Sequence, residues 1–329
     1  MFNAVKAVVC KEFEGPEGVV VADVDEPTAG PGQVLVDVKA CAITFPDLLM
    51  SRNQYQFKAS LPFILGSELA GVVRESGAGV TGLVPGDRVT GSSVLTGGLA
   101  ERAVLRVDTV HKIPEGVGFG EAAGILYAYG TSHYALRDRG ALQAGETLLV
   151  LGAAGAVGLS AVEVGRAMGA RVIAAGSSDA KLSLCRDRGA DETINYETED
   201  LKGRVRELTG GEGAEVVYDP VGGKYAEPAL RATAWGGRYL VIGFAAGDIP
   251  RIPLNLVLLR GCSVIGVFWG SFVQRQPAEH REYVAELMDW WRRGLLKPHV
   301  AASYPLERTA DALRELDGRR ALGKLVVVP

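Results

Sequence analysis

The sequence is poor in the residues that build disulfide frameworks and metal clusters. Its 329 residues include four cysteines and four histidines. The cysteines are scattered without a CxxC pair, and the histidines show no metal-ligand spacing, so neither a disulfide framework nor a local zinc site is indicated. We therefore expect reduced thiols and a cytoplasmic protein. The cysteines are Cys10, Cys41, Cys185 and Cys262, and the histidines are His111, His133, His280 and His299.

An excess of charge and long apolar segments are also missing. The net charge is −4 and charged residues make up 22% of the chain, which argues against nucleic acid or an anionic membrane as the main partner. The apolar runs fall far short of the ~20 residues of a membrane span. The first residues, MFNAVKAVVCKEF, predict a strand instead of a signal peptide. The length and the 47% hydrophobic content favour a globular protein of two domains.

The most informative stretch is residues 144–181, AGETLLVLGAAGAVGLSAVEVGRAMGARVIAAGSSDAK. Thr147–Leu151 is a strand-like apolar run, a loop of small residues follows, and spaced apolar residues then predict a helix and a second strand, which together form a βαβ unit. Gly152, Gly155 and Gly158 give a GxxGxxG spacing instead of the strict GxGxxG. Small residues at such a turn let backbone N–H groups approach a pyrophosphate at a helix N-terminus. We interpret it as a dinucleotide site, with a purely structural turn as the alternative.

The end of the second strand indicates which dinucleotide binds. An NAD site usually carries Asp or Glu about 20 residues past the glycines, to bind the ribose hydroxyls. This chain has Ser177 and Ser178 there, followed by Lys181. Hydroxyls and an ammonium group suit a 2′-phosphate, so NADPH is the expected cofactor. Asp179 is the one opposing charge and could equally cap the next helix, and a capped turn with a solvated lysine is the alternative reading.

The pattern along the chain predicts an α/β protein with two kinds of architecture. Residues 1–110 contain short strands interrupted by Gly and Pro, which is typical of a compact antiparallel β-rich domain. Glu121–Leu136 predicts a helix, after which strands and helices alternate as in a doubly wound parallel sheet. Lys324–Val328 is the final strand. A helix after Phe272 carries four apolar residues on one face: Val284, Leu287, Met288 and Trp291.

Several motifs occur in order along almost the whole chain. They are PGQVLVDVKACAITFPDLL (31–49), GSELAGVV (66–73), VPGDRV (84–89), GGLAE (97–101), GTSHYAL (130–136), AAGAVG (153–158), GADETINY (189–196), VVYDPVGG (216–223), GGRYLVIGF (236–244) and ALGKLVV (321–327). Together they resemble the zinc-free quinone oxidoreductase (zeta-crystallin-like) branch of the medium-chain dehydrogenase/reductase superfamily. The resemblance implies a GroES-like catalytic domain, residues 1–122 and 268–329, and an NADPH-binding Rossmann domain, residues 123–267. It also implies an active site in the cleft where the domains meet.

The resemblance bears on the question of a metal. Zinc-dependent relatives carry a Cys a few residues before the Asp that matches Asp47, and a His in the motif that matches Gly66-Ser67-Glu68. Thr44 and Ser67 occupy those two ligand positions here, and neither hydroxyl is an ordinary zinc ligand. The cysteine-rich lobe that holds a structural zinc in those relatives is also missing. We therefore expect no metal, and a zinc-dependent alcohol dehydrogenase is disfavoured.

Hydride transfer to a conjugated acceptor suits a site without a metal, because the developing charge falls on a delocalised oxygen. Tyr55 matches the tyrosine that enoyl reductases of the superfamily are thought to use as a donor or proton source, and a neutral phenol suits that role. The alternative is a tyrosine packed at a loop edge. Thr44 lies where many quinone reductases have Asn, and it is shorter but can still hydrogen-bond. Leu49 replaces a second aromatic residue of some relatives.

The resemblance also implies a set of cofactor contacts. Thr131 would line the nicotinamide end, the backbone near Phe244 and Val267–Phe268 would hold the carboxamide, and the glycine-rich loop would meet the pyrophosphate. Ser178, Lys181 and Tyr196 match the 2′-phosphate contacts of the family, with Arg319 as a weaker candidate. The full set is Thr131, Gly152, Ala154, Gly155, Ala156, Val157, Ser177, Ser178, Lys181, Tyr196, Gly243, Phe244, Val267, Phe268, Arg319 and Lys324.

Three functions remain open at this point. The first is an NADPH-dependent quinone oxidoreductase. The second is an NADPH-dependent reductase of activated alkenes, namely an enal, an enone or a 2-enoyl-CoA such as acryloyl-CoA. Its candidate CoA-binding residues are Arg52, Lys58, Arg275 and Arg281. The third is a non-catalytic NADPH-binding protein. The apolar segment Ser263–Phe268, expected at a sheet edge, predicts a homodimer, possibly a tetramer.

Overall fold

The computed structural model describes residues 4–92 and 96–329, so the first three residues of the predicted N-terminal strand lie outside the described part. Contacts divide the chain into two compact units. Unit 1 consists of Met1–Tyr127 and Pro298–Pro329, and unit 2 is Ala128–Lys297. A central unit inserted into the other is therefore present. Residues 268–297, which the sequence placed with the terminal parts, group instead with the central unit.

The secondary structure of the described residues is as follows. The strands are β1 (Ala4–Cys10), β2 (Val19–Asp25), β3 (Gln33–Ile43), β4 (Phe63–Ile64), β5 (Glu68–Ser76), β6 (Arg88–Ser92), β7 (Arg102–Arg106), β8 (Val110–Lys112), β9 (Thr147–Val150), β10 (Arg171–Gly176), β11 (Glu192–Asn195), β12 (Ala214–Asp219), β13 (Thr233–Val241), β14 (Ser263–Gly266), β15 (Val300–Pro305) and β16 (Lys324–Val328). The α-helices are α1 (Phe45–Ser51), α2 (Phe119–Ala122), α3 (Leu126–His133), α4 (Ala156–Ala167), α5 (Asp179–Asp187), α6 (Leu201–Leu208), α7 (Ala226–Arg231), α8 (Leu254–Arg260), α9 (Trp269–Arg275), α10 (Pro277–Arg292) and α11 (Thr309–Asp317). None of these helices is long and apolar enough to cross a membrane.

Unit 1 is built on a mostly antiparallel sheet. Its strand order is β15-β16-β3-β5-β6-β8, with β7 paired to one end of β3, and β15 runs parallel to β16. A smaller sheet has the order β2-β1-β4. The alternating residues of β3 place Val34, Val36 and Val38 in the buried core with Leu69 of β5. Since Ala42 pairs with Glu68, the end of β3 and the start of β5 lie side by side.

Unit 2 is a parallel sheet with helices, as the alternating pattern predicted. The strand order is β11-β10-β9-β12-β13-β14, and every pairing in it is parallel. The order reverses between β9 and β12, which is the switch point where open α/β sheets bind their ligands. The core consists of apolar strand residues such as Leu149, Ile173 and Val217, all fully buried.

The contacts of α9 and α10 explain why residues 268–297 belong to unit 2. Phe272 of α9 stacks on Tyr134 with ring centroids 4.1 Å apart, and Glu286 of α10 bonds His133 at 2.8 Å. Helix α10 buries the predicted apolar face, Val284, Leu287, Met288 and Trp291. The order of elements along the chain does not show onto which helices residues 268–297 pack, so it could not predict their grouping with unit 2.

The predicted helix over Glu121–Leu136 is wrong as a single element. It is divided into α2 and α3, with non-helical residues around Gly124, and a π-helical segment, Tyr134–Arg139, continues α3. A Cβ at Gly124 would lie 3.2 Å from Lys324 Cγ, so the chain passes close to β16 at the break. The N-terminus of α3 is then capped by Glu68, a residue far away in sequence.

Candidate functional site

The first part of the candidate site is the turn from β3 into α1. Thr44 is the N-cap of α1, and its hydroxyl donates to Asp47 Oδ2 at 2.5 Å while its amide donates to the same oxygen at 2.8 Å. The Asp47 side chain is fully buried, so this capping box lies in a place from which water is excluded. The main role of Thr44 here is therefore to position Asp47. While Asp47 is ionised, the Thr44 hydroxyl proton is donated to its carboxylate.

The second part is the segment that leads into β5. Gly66 N donates to Asp47 Oδ1 at 3.1 Å, which joins this segment to α1. Ser67 and Glu68 follow and are both fully buried. Glu68 Oε1 accepts from the first two backbone N–H groups of α3, at 2.5 and 3.0 Å. Two buried carboxylates therefore hold α1, the 66–68 segment and the backbone of Leu126 and Tyr127 together within unit 1. We refer to Thr44, Asp47, Ser67, Glu68 and Tyr127 as the polar cluster.

Two phenols are relevant to the site: Tyr127, which belongs to the polar cluster, and Tyr55, which lies near Asp47 of the cluster. Tyr55 lies in the loop after α1, and burial together with the charge of Asp47 raises the pKa of its phenol. Tyr127 lies beside Ser67, and burial raises the pKa of its phenol well above the usual value, as do the charges of Asp47 and Glu68, while the Ser67 hydroxyl opposes the shift. Both phenols therefore stay neutral near pH 7 and can donate a hydrogen bond.

Burial also shifts the acids of the cluster. It raises the pKa of Asp47 to about 6, against the opposing hydrogen bonds from Thr44 and Gly66. Burial likewise raises the pKa of Glu68, and the largest opposing effect is the charge of Lys324, whose Nζ lies 3.1 Å from Glu68 Oε2. Ionisation of Asp47 is therefore finely balanced in the range where enzymes work.

This ion pair involves one residue that was predicted to contact the cofactor, Lys324. The Lys324 side chain is 8% exposed and the Glu68 side chain is fully buried. A buried carboxylate needs its partner, because an unpaired buried charge is costly. The Lys324 ammonium is therefore engaged inside unit 1, and its predicted contact with the cofactor stays a prediction. Arg319 lies in the same unit as an exposed residue near Asp317, and its predicted phosphate contact stays a prediction.

The donor set of the cluster does not fit a zinc ion. Thr44 and Ser67 supply hydroxyls, and the Thr44 proton is directed at Asp47. The thiol of Cys41 is nearby, but burial raises its pKa well above the usual value, which disfavours the thiolate that zinc requires. Across residues 4–92 and 96–329, no group of three His, Cys, Asp or Glu side chains could hold a metal ion.

In unit 2 the glycine-rich loop connects β9 to α4 as the sequence predicted. Gly155 is the N-cap of α4, and its amide donates to the Gly152 carbonyl at 3.0 Å. A Cβ at Gly158 would lie 2.3 Å from that carbonyl oxygen, so only glycine allows the helix to pack this closely on the loop. Ala154 is buried, whereas Ala156 and Val157 are partly exposed at the start of the helix. Their backbone N–H groups, which a helix leaves without internal partners, are suited to a pyrophosphate.

The predicted 2′-phosphate residues lie together at the carboxyl ends of β10 and β11. Lys181 Nζ donates to Ser177 Oγ at 3.0 Å, and Ser178 caps α5 by accepting from the Lys181 amide at 3.4 Å. Tyr196 N donates to the carbonyl of Gly176, the last residue of β10. All three side chains, Ser177, Ser178 and Lys181, are partly exposed. Hydroxyls and an ammonium group at one sheet edge fit a phosphate dianion.

The opposing charge near this site is engaged elsewhere. Asp179 is the first residue of α5, and Ser178, not Asp179, is its N-cap. The Asp179 carboxylate accepts from Asn195 Nδ2 at 3.1 Å. Tyr196 packs on Tyr225 with ring centroids 4.2 Å apart.

The remaining predicted cofactor contacts lie along the same edge of the sheet. Gly243 and Phe244 follow β13, and Val267 and Phe268 follow β14. Val267 N donates to the carbonyl of the last residue of β13 at 3.0 Å, so the two segments are neighbours. Thr131 is partly exposed on α3, and the hydroxyl of the next residue, Ser132, donates to a carbonyl in the first turn of α4 at 3.1 Å. The geometry therefore fits a dinucleotide that extends along the carboxyl ends of the strands.

Comparison with known proteins identifies the family of the chain. Residues 30–115 match the alcohol dehydrogenase GroES-like domain, and residues 156–290 match the zinc-binding dehydrogenase domain. A quinone oxidoreductase-like protein 2 homolog of Nematostella vectensis is 39% identical over 98% of this chain and 88% of that protein. The chain belongs to the zinc-independent quinone oxidoreductase branch of the medium-chain dehydrogenase/reductase superfamily.

Solved structures support the fold assignment of this oxidoreductase. A probable oxidoreductase from Mycobacterium abscessus superposes with a TM-score of 0.91 at 38% identity and covers 100% of both chains. A mycobacterial protein complexed with NADPH has a TM-score of 0.91 at 31% identity and covers 98% of this chain and 100% of that chain. Unit 1 is accordingly the GroES-like domain and unit 2 the Rossmann domain.

Sequence reasoning missed Tyr127 and the roles of Glu68 and Lys324. Glu68 acts on a helix that begins 58 residues later, and Lys324 reaches it from the last strand. One signal for Tyr127 was present in the sequence. It stands four residues before Thr131 in the predicted helix, a spacing that places two side chains on the same helix face.

Proposed function

We propose that this oxidoreductase transfers hydride from NADPH to a quinone without a zinc ion. The observation that carries the proposal is the composition of the polar cluster. The hydroxyls of Thr44 and Ser67 occupy the positions that zinc ligands hold in metal-dependent relatives, and neutral phenols lie near them. Such groups cannot act as a Lewis acid, but they can hydrogen-bond a delocalised oxygen on which negative charge develops. A quinone offers such an oxygen.

The predicted cofactor residues support NADPH as the reductant. Bound NADPH supplies the hydride. The backbone of Gly155, Ala156 and Val157 would bind its pyrophosphate, and Ser177, Ser178 and Lys181 would bind its 2′-phosphate. The one nearby carboxylate, Asp179, is bonded to Asn195, which reduces its repulsion of a phosphate.

In unit 1 the residues would orient the acceptor and stabilise the charge on its oxygen. Tyr55 would donate to that oxygen and supply a proton, since its phenol is neutral at pH 7. Thr44 would contact the acceptor only through the lone pairs of its hydroxyl while Asp47 is ionised, because its proton is then engaged. The buried surroundings of Asp47, Ser67 and Glu68 exclude water and strengthen these interactions.

The alternative of a CoA thioester substrate loses support at two positions. The guanidinium of Arg52 makes two bonds with Asp317, at 2.9 and 2.7 Å. The Lys58 ammonium donates to the Asn53 carbonyl at 2.6 Å. Neither side chain is therefore poised to bind the phosphates of CoA. Enals and enones without CoA need no such basic residues and remain the second candidate class.

An acceptor screen with purified protein tests the proposal. NADPH oxidation would be followed with 1,4-benzoquinone, 9,10-phenanthrenequinone, crotonyl-CoA and acryloyl-CoA, and repeated with NADH. We expect turnover with the quinones, a preference for NADPH, and no stoichiometric zinc in elemental analysis. Tight NADPH binding without turnover of any acceptor would indicate a non-catalytic protein. A requirement for bound zinc would refute the proposal.

We further propose that a second copy of the chain covers the edge of the Rossmann sheet. β14 is the last strand in the sheet order, and Val264 on it is 44% exposed. Leu254 and Leu258 of α8 are 81% and 77% exposed, and Trp235 is 77% exposed. An unpaired apolar edge of this kind favours pairing with another strand. Analytical ultracentrifugation should show a homodimer, and Val264→Lys with Leu258→Glu should give a monomer. A monomeric wild-type protein would contradict the proposal.

A further inference from the structure

We propose that Tyr127 is a second acceptor-binding phenol, which donates a hydrogen bond to the acceptor oxygen alongside Tyr55. The inference deepens the function proposed above and rests on it. It concerns a residue that no sequence motif of the chain indicated.

The backbone of Tyr127 is held at the polar cluster by buried charge. Its amide donates to Glu68 Oε1 at 3.0 Å, and Glu68 follows Ser67 directly. The same segment is fixed to α1 through the bond from Gly66 N to Asp47. Tyr127 therefore cannot move away from the 66–68 segment without leaving the buried Glu68 carboxylate short of a donor, which is costly.

The side chain of Tyr127 lies against Ser67. Ser67 is fully buried, and its hydroxyl makes no hydrogen bond of standard geometry among residues 4–92 and 96–329. It nevertheless lies close enough to the Tyr127 phenol to lower the pKa of that group. When the Ser67 hydroxyl donates to the phenol oxygen, the phenol proton is directed to another acceptor. A phenol whose oxygen accepts a hydrogen bond is also a stronger donor, because linked hydrogen bonds polarise one another. Ser67 thus occupies a zinc-ligand position of relatives and assists a phenol instead.

The surrounding charges make Tyr127 a donor and not an acid. Burial and the charges of Asp47 and Glu68 raise the pKa of its phenol well above the usual value. The phenol therefore keeps its proton throughout the reaction. Bound NADPH would supply a hydride, with its two electrons, to a conjugated carbon of the quinone. The quinone oxygen would take a proton from Tyr55, which regains one from solvent, or from water directly. Tyr127 stabilises the charge on that oxygen before the proton arrives.

The variant Tyr127→Phe tests the assignment against a matched control. The control is Tyr129→Phe, which removes another phenol of α3, one that donates to Glu163 at 2.8 Å inside unit 2. We expect Tyr127→Phe to lower kcat/KM for 1,4-benzoquinone about 10-fold, the effect of one hydrogen bond, and to leave the Kd for NADPH within about two-fold. Tyr129→Phe should lower the Tm and leave kcat/KM within about two-fold. Ser67→Ala should give part of the effect of Tyr127→Phe.

A binding measurement separates this inference from the proposed reaction. Cyclohexanone has a carbonyl that accepts a hydrogen bond and no conjugated alkene to reduce, and its binding to the NADP⁺ complex can be followed by saturation-transfer NMR. Weaker binding in Tyr127→Phe supports the donor role even if wild-type protein reduces no quinone, in which case only the proposed function fails. Unchanged kcat/KM and unchanged cyclohexanone binding would overturn the inference. A Tyr127→Phe variant that loses NADPH affinity and also has a lower Tm would show that Tyr127 has a structural role, and this result would overturn the inference too. So would a wild-type protein that neither binds cyclohexanone nor reduces a quinone.

Discussion

In unit 1 the candidate site consists of side chains from separate segments of the chain, whereas in unit 2 it consists mainly of backbone at the ends of neighbouring parallel strands. Thr44, Ser67 and Tyr127 are held together by two buried carboxylates. The loop from Gly152 to Gly155 is shaped by local turns and small residues. The part of the candidate site in the GroES-like domain therefore depends on long-range contacts of buried charges, and the part in the Rossmann domain depends on local backbone geometry.

The largest expected effect comes from breaking the buried ion pair of unit 1. Lys324→Met leaves the Glu68 carboxylate buried without its cation, so the free energy of unfolding should fall by about 3–5 kcal/mol. Urea denaturation measures this change. Lys181→Met in unit 2 is the control, because its partly exposed ammonium should change the stability by less than about 0.5 kcal/mol. A loss below about 1 kcal/mol in Lys324→Met would show that the pair is not essential to unit 1.

A smaller effect is expected from adding a methyl group to the glycine-rich loop. A Cβ at Gly158 would lie 2.3 Å from the Gly152 carbonyl oxygen, whereas a Cβ at Gly155 would lie 3.4 Å from it. Gly158→Ala should lower the free energy of unfolding by about 1–3 kcal/mol through overpacking, and Gly155→Ala should change it little. Equal stabilities of the two variants, measured by thermal unfolding, would contradict the claim that backbone geometry determines this site.

A change of similar or smaller size is expected at the proposed 2′-phosphate site. Lys181→Ala should raise the KM for NADPH about 10- to 100-fold, the usual value of a charge-assisted hydrogen bond, and should change the KM for NADH little. Steady-state kinetics with both coenzymes measures this difference. Lys181→Arg keeps the charge and should keep most of the preference for NADPH. Equal effects on the two coenzymes would refute the assignment of Lys181.

The smallest expected effect is a pH dependence that comes from unit 1. The pKa of Asp47 is about 6, so Asp47 becomes neutral as the pH falls through this value. A neutral Asp47 no longer requires the Thr44 proton, which can then be donated to the acceptor, and no longer repels negative charge on it. We expect kcat/KM for a quinone to rise a few-fold between pH 7 and pH 5.5, and Thr44→Val to flatten the profile. A flat wild-type profile would contradict this role.

The same comparison explains what could be predicted from the sequence. The dinucleotide loop, the position of Ser177 and Lys181 after β10, and the final strand Lys324–Val328 can be predicted from local spacing, and the structure has these elements. The break between α2 and α3 does not follow, because the cap of α3 is a carboxylate 58 residues away.

The ion pair between Lys324 and Glu68 could not be predicted for the same reason. The Glu68 partner of Lys324 is determined by the pairing of β16 with β3 and of β3 with β5. Tyr127 was missed because its neighbour Ser67 lies in the segment before β5, far away in sequence. Contacts of this kind depend on sheet register, and no pattern within a short window of sequence reports them.

The four cysteines are all buried, two in each unit: Cys10 and Cys41 in unit 1, and Cys185 and Cys262 in unit 2. Burial raises the pKa of every one of these thiols, so the native protein should react slowly with alkylating reagents. Each thiol becomes reactive only when its own region opens. Mass spectrometry of alkylated peptides can therefore time the local opening of the two domains separately, without any introduced label.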